Sequence, residues 1–252
     1  MPTPYEILAF FAWKGDVGAP VVPPLELRLL HILQATARAS GDPVGLTLLA
    51  DRRTDFPGLD PRITLDRQDI DPAAGLMLAR TVAEVDFLER FDFARPVAML
   101  DTDIVVNGPI GELFDEDFDV AVCYRRRKGQ PINAGAVFLG NRRPEVVRDF
   151  MRRWLATYRR DFADQAMWWG DQAALNALLD LPRDVAVPSI RVVDGVRVRL
   201  LEPGIWNYAP RRLGLQALFP KRGRKILHYK SKDRKPDMIR FYERWFDGER
   251  RR

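Results

Sequence analysis

The chain has 252 residues, 46% apolar and 30% charged, with a formal net charge of +5 and a single cysteine, Cys123. A lone cysteine excludes an internal disulfide framework and a cysteine-built zinc site, and this mixture of apolar and charged residues excludes a low-complexity or fibrous chain. Residues 203–252 hold 15 Lys+Arg against 5 Asp+Glu, whereas residues 1–202 hold 25 against 30, so a basic tail on an acidic body points to a polyanionic partner for the tail.

The cysteine usage suits a reducing compartment. The opening Met1-Pro2-Thr3-Pro4-Tyr5 has no basic region, and the apolar run after it is too short for a secretory signal or a membrane span. The expected location is therefore cytoplasmic. Apolar strands alternate with amphipathic helices, which predicts an α/β fold: one Rossmann-like domain with a mixed, mostly parallel sheet flanked by helices.

In chain order, residues 6–13 read as a first strand. Residues 24–39 read as a helix with Pro24 in its first turn and Leu25, Leu29, Ile32 and Leu33 on one face. A second strand covers 44–50, followed by a loop rich in Asp, Pro and Arg. A helix starts at Asp71-Pro72 and runs towards Phe91. Strands follow at 97–100, 104–106, 119–124 and 135–140. Residues 144–160 carry an apolar stripe opposite arginines and form the clearest helix, and a shorter helix covers 171–180. Residues 192–198 surround Asp194-Gly195, a hairpin signal, and 225–229 is a late strand. The domain is read as 1–236, with 237–252 a basic amphipathic extension.

Four strings carry chemistry. Asp-x-Asp occurs at 69/71, 101/103, 115/117 and 117/119, and three of these lie in polar, turn-like sequence where caps and solvated loops are expected. Only Asp101-Thr102-Asp103 is framed by apolar residues on both sides. Two carboxylates at the end of a buried strand cost several kcal/mol in desolvation unless something compensates them. A hard cation, Mn²⁺ or Mg²⁺, does so through oxygen ligands, at the strand end where open α/β sheets bind ligands. In the second string, Asn133-Ala134-Gly135, the asparagine offers a donor and an acceptor to a sugar hydroxyl, and the glycine permits close approach to the backbone. In the third, Trp168-Trp169-Gly170-Asp171-Gln172, a polar pair opens a helix, with Asp171 either its N-cap or functional and the tryptophans either core or an acceptor platform. In the fourth, His228 ends an apolar strand and Lys230, Lys232 and Lys235 follow, so it is a candidate metal ligand beside lysines suited to a diphosphate. His31, between Leu30 and Ile32, reads as structural.

The order of these strings, Asp-x-Asp, Asn-Ala-Gly, Asp-Gln, then His with Lys-Pro, is similar to that of the type-A-fold glycosyltransferases. It most resembles glycosyltransferase family 8, the glycogenin and bacterial galactosyl- and glucosyltransferase group, over most of the chain to about Pro236. The resemblance implies Mn²⁺-dependent, retaining transfer of a hexose from a UDP-sugar to a carbohydrate, lipid-linked or protein acceptor. It makes Asp101, Asp103 and His228 metal ligands. Asn133 would contact the donor sugar, and Asp171 and Gln172 would lie beside the anomeric carbon. Arg80, Thr102, Ala134, Lys230 and Lys235 would bind the donor, and the stretch ending Trp206-Asn207-Tyr208 would be architectural. The chain departs from the family in lacking a glycine between His228 and Lys235-Pro236, and in placing Asp237 after the proline.

Phe241, Trp245 and Phe246 among Arg240, Arg244 and Arg250 to Arg252 leave two readings open, a helix packed on the body or a segment lying on an anionic membrane. A phosphohydrolase of the haloacid-dehalogenase type, with Asp101 as nucleophile, is the enzymatic alternative, but about a hundred residues precede a motif that normally opens that domain. A basic nucleic-acid-binding protein is the non-enzymatic one. No nucleic acid is expected, because the positive charge is confined to the tail and no recognition module appears.

Overall fold

The structure is a computed structural model that describes residues 2–13, 20–126, 129–163, 169–210 and 223–247. Strand β1 (Tyr5–Phe11) is followed by helix α1 (Pro24–Ala39), which returns the chain to β2 (Val44–Asp51), parallel to β1. Then come β3 (Ile63–Gln68), α2 (Leu76–Arg90), β4 (Val97–Leu100), β5 (Ile104–Val106), β6 (Val120–Tyr124) and β7 (Ile132–Leu139). Helices α3 (Pro144–Asp161) and α4 (Gly170–Leu179) precede a hairpin, β8 (Ser189–Val193) and β9 (Val196–Leu201). A short helix α5 (Pro203–Trp206), β10 (Ile226–His228) and α6 (Lys235–Trp245) complete the described chain.

The main sheet has the order β3-β2-β1-β4-β7-β6-β9-β8. Strands β1 to β4 are parallel, β7 runs against both β4 and β6, and β6 is parallel to β9. The chain is thus a single α/β domain with a mixed, mostly parallel sheet between helices. It moves outward from β1 to β3, then returns to lay β4 on the other side of β1. That reversal opens a crevice at the C-terminal ends of β1 and β4, where ligands bind in sheets of this kind. A two-stranded ribbon, β5 with β10, projects beside it.

Core packing follows from the helix stripes. Val147, Phe150, Met151 and Trp154 of α3 and Leu175 of α4 cover one face of the sheet. Leu30, Leu33 and Ala37 of α1 cover the other face, while Leu29 and Ile32 point the opposite way. Those two meet Val105 of β5, Leu227 of β10, and Met238, Phe241 and Tyr242 of α6. The Thr36 hydroxyl, which donates to Ile32 O, also accepts from Val106 N, tying the ribbon to α1.

The structure differs from the sequence reading at several elements. The first strand ends at Phe11, before residue 13. The loop after β2 contains a strand, β3, whose Asp66 and Arg67 obscured it because an edge strand has a solvated side. The helix expected from Asp71 is broken: Asp71 caps a 3₁₀ turn at Pro72–Ala74, and Gly75, at φ +114°, resets the chain before α2. The hairpin holds, with Asp194 and Gly195 both at positive φ as such a turn demands. Helix α6 begins at Lys235 and buries Met238 and Phe241, the packed alternative for its described part. Arg250 to Arg252 lie outside the described residues. Among the described residues no helix is long and apolar enough to cross a membrane.

Candidate active site

Strand β4 is wholly buried and ends on Asp101, whose backbone N–H donates to Gly135 O of β7. The chain turns through Thr102 and Asp103 into β5, which pairs antiparallel with β10 in a register that sets His228 opposite Ile104. Tyr229 N–H donates to Asp103 O and locks that register. The His228 Nε2 therefore stands 3.0 Å from Asp103 Oδ1 and 3.3 Å from Asp101 Oδ2. The three side chains offer ligand atoms all within 4.8 Å of one another. The glycine of Asn133-Ala134-Gly135 admits the site's own side chains: a Cβ there would lie 2.3 Å from Asp101 Oδ2 and 2.4 Å from His228 Cε1.

Arg80, in the middle of α2, holds this centre from behind. Its Nε donates to Glu84 Oε1 at 2.8 Å, one NH group to Asp101 Oδ1 at 2.6 Å, and the other to Ala134 O at 2.9 Å. Asp171 Oδ2 lies 3.8 Å from the same guanidinium. Burial works against the Arg80 cation, but Glu84, Asp101 and Asp171 outweigh it and raise its pKa. Burial likewise works against the Asp101 anion, yet Arg80, His228 and Lys230 hold that carboxyl well below the usual range. For Asp171 burial wins, and its pKa is pushed up to about 6 despite Arg80. Burial opposes a charged His228, but Asp103 and Asp101 overcome it and raise its pKa. Without a metal the imidazole is thus drawn towards the doubly protonated form. Burial first, then the Arg125 guanidinium, lowers Lys230 to about 8.

Asn133 sits at the start of β7, with its Nδ2 donating to Gln172 Oε1 at 2.6 Å and its Oδ1 accepting from Lys230 Nζ at 2.7 Å. Gln172 Nε2 continues to Gln130 Oε1. The structure thus brings together Asp101, Asp103, His228, Arg80, Ala134, Asn133, Gln172, Asp171 and Lys230, with Thr102 half-buried between the two aspartates. Lys235 joins none of these contacts; its Nζ pairs with Glu26 in the first turn of α1. Asp171 is not the N-cap: Trp169 is, and Asp171 accepts from its neighbour Gln172 N–H instead. Trp169 is half-exposed, while Trp168 and residues 14–19 of the first-strand loop lie outside the described residues. Sequence reasoning missed Glu84 and Gln130, whose polar types carry no signal in isolation, and took Asn207 as architectural, whereas its amide touches Asn133 and His228.

The other Asp-x-Asp strings take the capping and solvated roles expected of them except at Asp119, which is buried between Arg143 and Arg197. Asp71 caps a turn, Asp115 accepts from Thr3, and Asp117 and Asp119 pair with arginines. The donor set at the centre, two carboxylate oxygens and an imidazole nitrogen, fits a hard or borderline divalent cation such as Mn²⁺.

This architecture is that of the nucleotide-diphospho-sugar transferase fold, known as GT-A. Solved glycosyltransferases share it. The galactosyltransferase LgtC in complex with donor and acceptor sugar analogs matches at a TM-score of 0.55 and 14% identity, over 91% of this chain and 88% of that one. GlyE of Streptococcus pneumoniae TIGR4 matches at 0.57 and 17%, over 92% of this chain. This chain spans 56% of GlyE's length. A glycosyltransferase involved in the glycosylation of the major capsid of PBCV-1 matches at 0.54 and 14%, over 94% and 98% of the two chains. At these identities the likeness is one of fold. No protein-family model and no curated protein matches the chain.

Proposed function

We propose that the protein is a metal-dependent glycosyltransferase. It moves a hexose from a nucleoside diphosphate sugar, UDP-linked on the plan of glycosyltransferase family 8, to a hydroxyl of a carbohydrate, lipid-linked or protein acceptor, with retention. The observation that carries this reading is the convergence of Asp101, Asp103 and His228 at the sheet's reversal crevice, with the Asn133 and Gln172 amides beside them.

Asp101, Asp103 and His228 would hold the cation, Mn²⁺ or Mg²⁺, which supplies Lewis-acid stabilisation of the diphosphate leaving group. The chain's own residues do the rest. Arg80 keeps Asp101 ionised and aims it. Lys230 adds positive charge where the leaving group gains negative charge. Asn133 and Gln172 offer amide donors and acceptors to sugar hydroxyls. The acceptor proton passes to the departing diphosphate on the face of attack. Inversion would instead need Asp171 as base on the opposite face, and its burial at 4% exposure behind Arg80 favours the first route. A phosphohydrolase is disfavoured because about a hundred residues precede Asp101, whereas the motif it would need normally opens that domain.

The test is a thermal-shift screen of UDP-sugars with and without Mn²⁺. A ligand that binds only the native state raises the melting temperature. Stabilisation by a UDP-sugar only with metal supports the proposal, and stabilisation by phosphomonoester mimics alone overturns it. NMR of the product anomer against the donor decides stereochemistry.

A further inference from the structure

Asn207 closes α5, is 2% exposed, and touches the site on both sides of its amide. Its Nδ2 lies 2.8 Å from Asn133 Oδ1, and its Oδ1 lies 2.9 Å from His228 Nδ1. The backbone holds it there: Asn207 N–H donates to Pro203 O, while Tyr208 N–H donates to Ile226 O and His228 N–H to Tyr208 O, a bridge that fastens this segment along β10. Trp206 packs edge-on against Phe138 and fixes the other side.

Donor and acceptor roles along this chain of side chains follow from one end. The Lys230 ammonium has hydrogen-bond donors only, so the Asn133 atom it touches is the oxygen and the amide nitrogen must face Gln172. The Asn207 atom bonded to that same oxygen must then be its nitrogen, which turns Asn207 Oδ1 towards His228. A carbonyl oxygen only accepts, so Nδ1 of His228 carries a hydrogen in every state that keeps this bond. The Nε2 lone pair is thereby reserved for the side where Asp101 and Asp103 stand. Ligating histidines behave this way when their second nitrogen is held by a hydrogen-bond acceptor.

We propose that Asn207 is a positioning residue that holds His228 in the Nδ1–H tautomer as a metal ligand and couples metal binding to the orientation of the Asn133 amide. The two halves of the crevice, the ligand set and the amides facing the substrate, are then one hydrogen-bonded unit: Nδ1–H to Asn207, Asn207 to Asn133, Asn133 to Gln172, Gln172 to Gln130. The proposal rests on the reading of the centre as a metal site. It does not depend on sugar transfer, and its test uses the metal alone.

Two variants separate the roles of the amide. Asn207→Ala removes both bonds. Asn207→Asp keeps an acceptor for Nδ1–H and loses the donor to Asn133. Mn²⁺ affinity is measured by calorimetry without any nucleotide sugar, and folding by melting in EDTA. Asn207→Ala is expected to weaken Mn²⁺ binding by about 10- to 100-fold, the usual effect of removing such a partner, with Asn207→Asp close to wild type. The chain has two histidines, so nitrogen-15 spectra of histidine-labelled, Zn²⁺-loaded protein resolve His228 from His31. Wild type and Asn207→Asp are expected to show a protonated Nδ1. The Asn133 side-chain amide signal is expected to move on adding Zn²⁺ in wild type and to stay still in Asn207→Asp. Unchanged Mn²⁺ affinity in folded Asn207→Ala, or an Asn133 signal that moves equally in wild type and Asn207→Asp, overturns the proposal. If Asn207→Ala does not fold, the Asn207→Asp comparison decides alone. If no variant, wild type included, binds Mn²⁺, the metal-site reading fails and this proposal with it. Metal binding that is indifferent to Asn207 sinks only this proposal.

Discussion

Asp171 is held in a place where its charge is disfavoured, and Asp171→Asn removes the charge without changing the side chain's size. The carboxyl is buried in the first turn of α4, 3.8 Å from the Arg80 guanidinium, and burial raises its pKa from 3.8 to about 6. At 1.36 kcal/mol per pKa unit, that rise is worth about 3 kcal/mol. The folded-state pKa lies above the unfolded one, so the native state holds the proton more tightly. The stability this contributes is fully present below the unfolded value of 3.8 and is lost as pH rises through about 6. The amide of the Asp171→Asn variant does not titrate and carries no such dependence. In EDTA, urea unfolding of both proteins should therefore show the variant gaining on wild type by about 2 kcal/mol between about pH 4.5 and about pH 8. Titrating groups remote from Asp171 are common to both proteins and cancel in the difference, while Glu84, whose pKa Asp171 helps to raise, falls in the variant and moves the difference in the same direction. A stability difference that stays constant with pH, or a variant less stable than wild type at the upper pH, refutes the argument. Loss of turnover in the same variant would show that the disfavoured charge is kept for function.

Asp103→Asn should leave the circular dichroism spectrum in EDTA intact while abolishing Mn²⁺-dependent turnover and Mn²⁺-dependent thermal stabilisation; full activity would overturn the central reading. Gly135→Ala places a methyl group within the Asp101 and His228 side chains; it should cost about 1–3 kcal/mol in urea unfolding through overpacking and weaken Mn²⁺ binding measured by calorimetry. Arg80→Ala strands Glu84, Asp101 and Asp171 without their shared cation and should destabilise the fold by about 3–5 kcal/mol. Arg80→Lys should recover little of that, because an ammonium cannot span three partners as a guanidinium does. Phe241→Ala empties the contact between α6 and α1 and should lower stability by about 3–5 kcal/mol; a near-neutral result in thermal melting would mean that α6 adds little to the domain.

Much of the site is legible in the residues themselves. Asp101 and Asp103 stand out because the apolar residues on both sides predict burial, and burial of two carboxylates calls for a compensating charge. Asn133, Asp171 and Gln172 open elements whose apolar pattern is local, so their place at element ends is readable. Lys230 and Lys235 show where such reading stops. Both follow His228 in a basic run, and nothing local says that Lys230 turns in to Asn133 while Lys235 turns away to Glu26.

The alternation of strands and helices, the singular character of Asp101-Thr102-Asp103 and the candidacy of His228 were determined by the sequence, because each depends on periodicity and burial over a few neighbouring residues. Tertiary structure decided which groups meet. Arg80 reaches Asp101 because α2 packs behind β4, and His228 reaches Asp103 because the β5–β10 register sets it opposite Ile104. Asn207 becomes part of the centre only through the bridge between Tyr208 and Leu227. Those contacts join residues distant from one another in the chain, and a hydrogen bond's donor and acceptor carry no mark of each other along the sequence until the sheet and the ribbon bring them within reach.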